Sequence, residues 1–223
     1  MKTAVIVYTS MGGLVNTMKS LMKEKFPDWK IVNIADDSLI RDVMAAGKVT
    51  DAVKERLMGY FSIADGMKPE FIVSACSSVG EVAEYADAVL ETPIVRIDKA
   101  MIERALETGS RIGVLASLET TMEPTRNYVL KLAKDAGKEV SLCCRVADGA
   151  YQANSAGNTE LHDKLILEAA EQIKNDVDVI ILAQGSMSKL QTRITEVSGL
   201  PTFGSPALCV ESLAAMYKGE NEA

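Results

Sequence analysis

Short apolar runs, each followed by a longer amphipathic stretch, recur from one end of this chain to the other. Thr3–Thr9 (TAVIVYT), Lys30–Ala35 (KIVNIA), Phe71–Ala75, Pro93–Ile97, Arg111–Ala116 (RIGVLA), Glu139–Arg145, Val177–Ala183 (VDVIILA) and Pro201–Phe203 read as strands. Helical spacing predicts helices from about Leu14 to Lys25, over a short stretch after Asp36-Asp37-Ser38, and over Thr50–Ala64 and Val79–Leu90. Further helices are expected from an Asp98 cap to Glu107, over Thr125–Ala136 after a hydroxyl-rich turn at Ser117–Pro124, and over Glu160–Lys174 after a polar loop at Asp148–Thr159. Another should follow Gln184-Gly185-Ser186, and Pro206–Lys218 should close the chain. Strict strand–helix alternation restricts such a chain to parallel sheets with helices on their faces.

The alternation repeats. Ile72-Val-Ser-Ala-Cys76-Ser-Ser78 lies over Ile180-Ile-Leu-Ala-Gln184-Gly-Ser186 at an offset of 108, and Val5–Ser10 lies over Ile112–Ser117 at 107. Two strand-end matches at nearly one offset predict two similar α/β halves. The fold expectation is therefore two pseudo-symmetric parallel-sheet α/β halves with the active site in the cleft between them. Residues 1–97 with 204–223 would form the first half and 98–203 the second. The closing helix would pack on the first half, because it follows a completed second half.

Composition excludes several classes. The chain of 223 residues is 48% hydrophobic and 25% charged, in the range of a globular protein rather than a disordered one. A net charge of −7, with no basic cluster, argues against nucleic acid as a partner. No apolar run is long enough to span a membrane, and the apolar part of the first segment is too short for a signal peptide. Cys76, Cys143, Cys144 and Cys209 form no CxxC pair, and His162 is the single histidine, so no metal-ligand pattern emerges. Free thiols in such a chain suit the cytoplasm.

Cys76 stands where a strand ends and a helix begins. In open parallel sheets ligands bind at that edge, and the free N–H groups of the helix start favour a thiolate and bind carboxylate oxygens. The strand-end rule collects Thr9, Ser10, Cys76, Ser77, Ser78, Ser117, Thr120, Thr121, Gln184, Gly185 and Ser186 at the same edges. These groups are small, rich in donors and free of fixed cations, which suits a carboxylate held by hydroxyls and backbone N–H groups. Ser77, Ser78, Thr120 and Thr121 also read as helix caps. His162, at the polar start of a helix, reads as an exposed solvated residue. Cys143 and Cys144 read as structural thiols near a strand end, and Cys209 as core. Met11, Met122 and Met187 follow strand ends and read as gap-filling residues.

The segments ACSSVG (Ala75–Gly80), RIGVLASLETTMEPT (Arg111–Thr125) and VDVIILAQGSM (Val177–Met187) resemble the aspartate/glutamate racemase superfamily, with hydantoin racemase, maleate isomerase and arylmalonate decarboxylase among its members. The resemblance spans nearly the whole chain. It implies two pseudo-symmetric α/β domains, cofactor-independent chemistry on a small amino acid or carboxylate, and two cysteines that face the substrate Cα from opposite sides. Cys76 matches the first of these. Gln184 stands at the second, and a carboxamide does not exchange protons near neutral pH. The expectation is an isomerase of this family with Cys76 as its one catalytic thiol, taking no cofactor or metal and compatible with a homo-oligomer. A single-thiol decarboxylase, lyase or cis–trans isomerase is the alternative. A carboxylate-binding protein in which Cys76 is only a contact is the alternative of another class.

Overall fold

The first strand, β1 (Thr3–Tyr8), shows how each sheet is built. Successive side chains of a strand point to opposite faces. Ala4, Ile6 and Tyr8 accordingly enter one core with Phe71 and Val73, while Val5 and Val7 enter another with Ile72. A strand buried on both faces has to be uncharged throughout, and β1 is. In the computed structural model, which describes residues 1–218, β1 pairs in parallel with β2 (Lys30–Ala35) and β3 (Phe71–Ser74), and β3 with β4 (Ile94–Arg96). The order is β2-β1-β3-β4.

The second sheet repeats that order. β5 (Arg111–Ala116) pairs in parallel with β6 (Ser141–Val146) and β7 (Val179–Leu182), and β7 with β8 (Thr202–Gly204), giving β6-β5-β7-β8. Main-chain hydrogen bonds recur with one displacement. Glu70 N–H donates to Thr3 O (2.8 Å) and Asp178 N–H to Arg111 O (2.7 Å). Ile72 to Pro93 and Ile180 to Pro201 are both 2.9 Å, as are Ala75 to Val7 and Ala183 to Leu115. Every member of these pairs is displaced by 108 residues, the offset of Gln184 from Cys76 (184 − 76). The offset of 107 assigned to the first strand is therefore corrected by one, and Thr9, rather than Ser10, corresponds to Ser117. Composition cannot set that register, because a one-residue slip leaves a buried apolar run equally apolar; the hydrogen-bond ladder sets it.

The chain divides into two units, Met1–Lys99 together with the described chain from Pro206 on, and Ala100–Ser205. In the first unit, α1 (Gly13–Lys25) and α10 (Ser205–Lys218) bury Met18, Met22, Val210 and Leu213 on one face of the sheet. Full burial of such a side chain stabilises by about 1.5–3 kcal/mol, so these four dominate the docking of the two helices. Tyr217 adds a hydroxyl donated to Glu70 O (3.1 Å) and a ring 5.0 Å from that of Phe71. α2 (Ser38–Ala46), α3 (Asp51–Asp65) and α4 (Gly80–Val89) cover the opposite face. In the second unit, α8 (Thr159–Ile173) and α9 (Gln191–Ser198) pack Ile166, Ala170, Ile173 and Ile194 against Leu115, Ile180 and Leu182. The unit also contains α5 (Lys99–Thr108), which begins one residue ahead of it, α6 (Glu119–Asp135) and α7 (Ala150–Ser155).

Two local expectations fail for physical reasons. α6 begins at Glu119 and carries Pro124 inside it. Proline removes a donor and costs about 3 kcal/mol in a helix interior, but Thr121, Met122, Thr125, Tyr128 and Val129 are buried at helical spacing and hold the helix through it. α7 occupies the segment expected as loop, because Ala150 and Ala153 bury one small face. The turns after β3 and β7 begin as 3₁₀ helices, Ser77–Val79 and Gly185–Leu190, ahead of α4 and α9.

Candidate active site

The order of each sheet places a topological switch point between β1 and β3, and again between β5 and β7. At such a point the connections leave in opposite directions and open a crevice at the carboxyl ends of the strands. In the first unit these ends are followed by Thr9-Ser10 and Ala75–Ser78, in the second by Ser117-Leu118 and Ala183–Ser186.

Cys76 has extended backbone (φ −151°, ψ 116°) and immediately precedes the 3₁₀ turn Ser77–Val79. The position aims the sulfur at the open end of that turn. Its partners are the Thr9 hydroxyl, the backbone N–H groups of Ser78 and Val79, and the Ser78 hydroxyl. Burial pushes the thiol pKa up, and these hydrogen bonds oppose the shift without cancelling it. The lowering expected from a helix start gives way to desolvation, which prevails. Thr9, Ser77 and Ser78 are buried beside it, while Ser10 is exposed.

Behind this turn lies a group that motif reading missed. Arg96 is 4% exposed. Its Nε and Nη2 donate to the two carboxylate oxygens of Asp98 (2.9 and 2.7 Å), and its Nη1 donates to Glu84 Oε1 (2.7 Å). Asp98, directly ahead of α5, has both oxygens on Arg96. The legible signal was a lone arginine in an apolar strand, two residues before an acid.

In the second unit Gln184 occupies the register position of Cys76. Its Oε1 accepts the Ser117 N–H (2.8 Å) and its Nε2 donates to Ser117 Oγ (3.1 Å). The backbone N–H can only donate, so the orientation of the amide is fixed. Thr9 and Cys76 form the matching pair in the first unit. Ser117 and Thr121 are buried, Gly185 is half-buried and Ser186 is exposed. Thr120 and Thr121 do not cap: they lie inside the first turn of α6, after a Leu118 N-cap that makes no side-chain bond. The Oγ1 atoms of Thr120 and Thr125 are buried without a hydrogen-bond partner among the described residues, which makes Thr125 a further hydroxyl that motif reading missed.

The remaining thiols and the histidine are elsewhere. His162 is buried, not exposed, because it opens the stripe His162, Ile166, Ala169, Ala170, Ile173 on α8. Its Nδ1 lies 2.8 Å from Asp163 Oδ1, and Asp163 also meets Lys189 and Arg193 at 3.2 Å each. Cys143 and Cys144 sit in mid-strand, paired with Gly113 and Val114, before the strand end where they were expected. Cys209 is core, and its thiol is pushed up to about 12 by burial and the nearby Asp98 charge. Among the described residues no cluster of His, Cys, Asp and Glu could hold a metal ion, and no helix is long and apolar enough to cross a membrane.

Twin four-stranded parallel sheets with polar groups at matching switch points define an α/β protein, and solved structures share this fold. Glutamate racemase from Francisella tularensis, in complex with D-glutamate, superposes with a TM-score of 0.75 at 11% identity over 99% of this chain and 82% of that one. Aspartate racemase from Picrophilus torridus gives 0.71 at 14% over 96% and 95%, and allantoin racemase from Klebsiella pneumoniae 0.68 at 14% over 100% and 90%. No curated protein matches the sequence. The model of the Asp/Glu/hydantoin racemase family matches residues 13–213. The chain belongs to that family, and by this membership it is an isomerase.

Proposed function

We propose that this enzyme acts on a small amino acid or carboxylic acid through the thiol of Cys76, with the inert amide of Gln184 where the family resemblance leads one to expect a second thiol. The observation that carries this reading is the pair of equivalent positions. Cys76 is half-buried and ringed by hydrogen-bond donors, whereas both arms of Gln184 are engaged by Ser117. Ser77, Ser78 and the N–H groups of the 3₁₀ turn, beside the thiol in the first unit, are the candidate donors to the carboxylate and to an enediolate-like intermediate. The Francisella enzyme, solved with D-glutamate, makes amino acids the first class to test. Four free cysteines favour a reducing, cytoplasmic setting.

A second reading rests on the raised thiol. A neutral sulfhydryl is a proton donor before it is a base, and one donor can protonate a carbanion on one face after loss of CO₂ or addition chemistry. One experiment separates the readings. The native protein and Cys76→Ser are incubated in deuterated water with panels of amino acids, dicarboxylates and malonates, and solvent deuterium at Cα is followed by mass spectrometry. Exchange without decarboxylation supports the first reading, and deuterated product after CO₂ release supports the second. Equal activity in Cys76→Ser overturns both, because the chemistry then does not pass through that thiol.

A further inference from the structure

We infer that Arg96 is a positioning residue for Cys76, an inference that rests on the proposed role of that thiol. The segment that carries the thiol and its donors leaves β3 at Ser74 and enters α4 at Gly80. Arg96 touches both of its ends. Its backbone is in register with Ser74 on the neighbouring strand, where the Ile97 N–H donates to Ser74 O (3.0 Å). Its guanidinium lies against the backbone of Gly80: a Cβ there would fall 2.1 Å from Arg96 Cζ, far inside any van der Waals contact. Val79, whose N–H reaches the Cys76 sulfur, is the residue before that glycine.

The guanidinium is itself immobilised. Asp98 takes two of its N–H groups in the parallel geometry that suits a planar fork, and Glu84 takes a third from one helical turn beyond Gly80. β4, the start of α4 and the residue ahead of α5 are thus joined through one buried side chain. A lysine would keep the charge and lose the fork. The second unit uses a different solution at the same two positions. Gly204 stands for Arg96 and Ser188 for Gly80, so the glycine is on the strand and the side chain on the helical turn, with the ideal Gly204 Cβ 2.8 Å from Ser188 Cβ. The backbone therefore tolerates either arrangement, and only the half with the thiol has the braced cation.

The test measures alkylation of Cys76 by iodoacetamide, quantified by peptide mass spectrometry across neutral to alkaline pH, with Cys144 in the same molecule as the control. Arg96→Lys removes the fork. Glu84→Gln loosens its hold on α4 and leaves the buried Asp98 pair in place. Gly80→Ser with Arg96→Gly copies the packing of the second unit. The expected result is a displacement of the Cys76 pH midpoint by about half a unit or more in all three variants, with Cys144 unchanged. On any substrate found for the native protein, kcat should fall about tenfold or more while KM changes less. A Cys76 profile superposable on the native one in folded Glu84→Gln and in either Arg96 variant overturns the inference. Cys76→Ser, assayed in parallel, separates the two failures. A dead Cys76→Ser beside unaffected Arg96 variants sinks only the positioning role. An active Cys76→Ser sinks the proposed function, while the alkylation profiles still decide on Arg96.

Discussion

The two halves of this chain share a strand order, a register and a hydrogen-bond pattern, yet they end their central strands in different chemistry. Thr9 meets Cys76 in the first, and Ser117 meets Gln184 in the second. Arg96 and Gly80 in the first become Gly204 and Ser188 in the second. A parallel sheet dictates where a strand-end side chain stands and leaves its chemistry free, which is why function has to be argued from the site. One half presents a titratable group, and the other an amide locked by its neighbour.

The largest effect that tests this contrast is Cys76→Ser. Turnover should fall by about a thousandfold or more with the fold intact, and a residual rate within about tenfold, only ~1.4 kcal/mol of barrier, would end the asymmetry. Gln184→Cys should make the halves alike in chemistry. Racemisation of an α-acidic carboxylate that binds, followed by chiral chromatography, is expected to appear slowly in the variant and to be absent from the native protein. Rapid racemisation by the native protein would end the chemical asymmetry of the halves.

Smaller effects concern stability. Gln184→Ala leaves the Ser117 N–H unpaired, and chemical denaturation should show a loss of about 1–3 kcal/mol. No loss would mean that the amide is replaceable by water. The smallest effect lies at alkaline pH and belongs to the first half. The Cys209 thiol is pushed up to about 12, and burial also raises Tyr8, whose hydroxyl has no partner among the described residues. A folded pKa above the unfolded value, about 8.5 for cysteine, gives stability that is complete below it and lost as pH rises towards the folded one. Cys209→Ala should flatten that alkaline decline. Iodoacetamide should meanwhile modify Cys76 and leave Cys209 untouched in the native state.

The strand ends were legible because buried parallel strands are apolar runs that stop abruptly at Thr9, Cys76, Ser117 and Gln184. The register was legible only to within one residue, since an apolar run has no internal mark. Pro124 concealed the start of α6, because a local breaker is plain in sequence while the buried stripe that overrides it is tertiary. His162 was hidden similarly: its burial comes from the far end of α8, where Ile166 and Ile173 choose the face. The braced Arg96 joins residues that are neighbours only across β3, β4 and α4. Spacing along the chain could not display it.

The return of α10 to the first unit bears on how the protein is made. A chain emerging from the ribosome delivers β1 to β4 early, but the face of that sheet lined by Ile6, Tyr8 and Phe71 waits for Cys209, Val210 and Leu213. The second unit is continuous in sequence and can close its core sooner. The amino-terminal half, although synthesised first, is completed last. Until then its uncovered aliphatic and aromatic face is the surface a chaperone would meet.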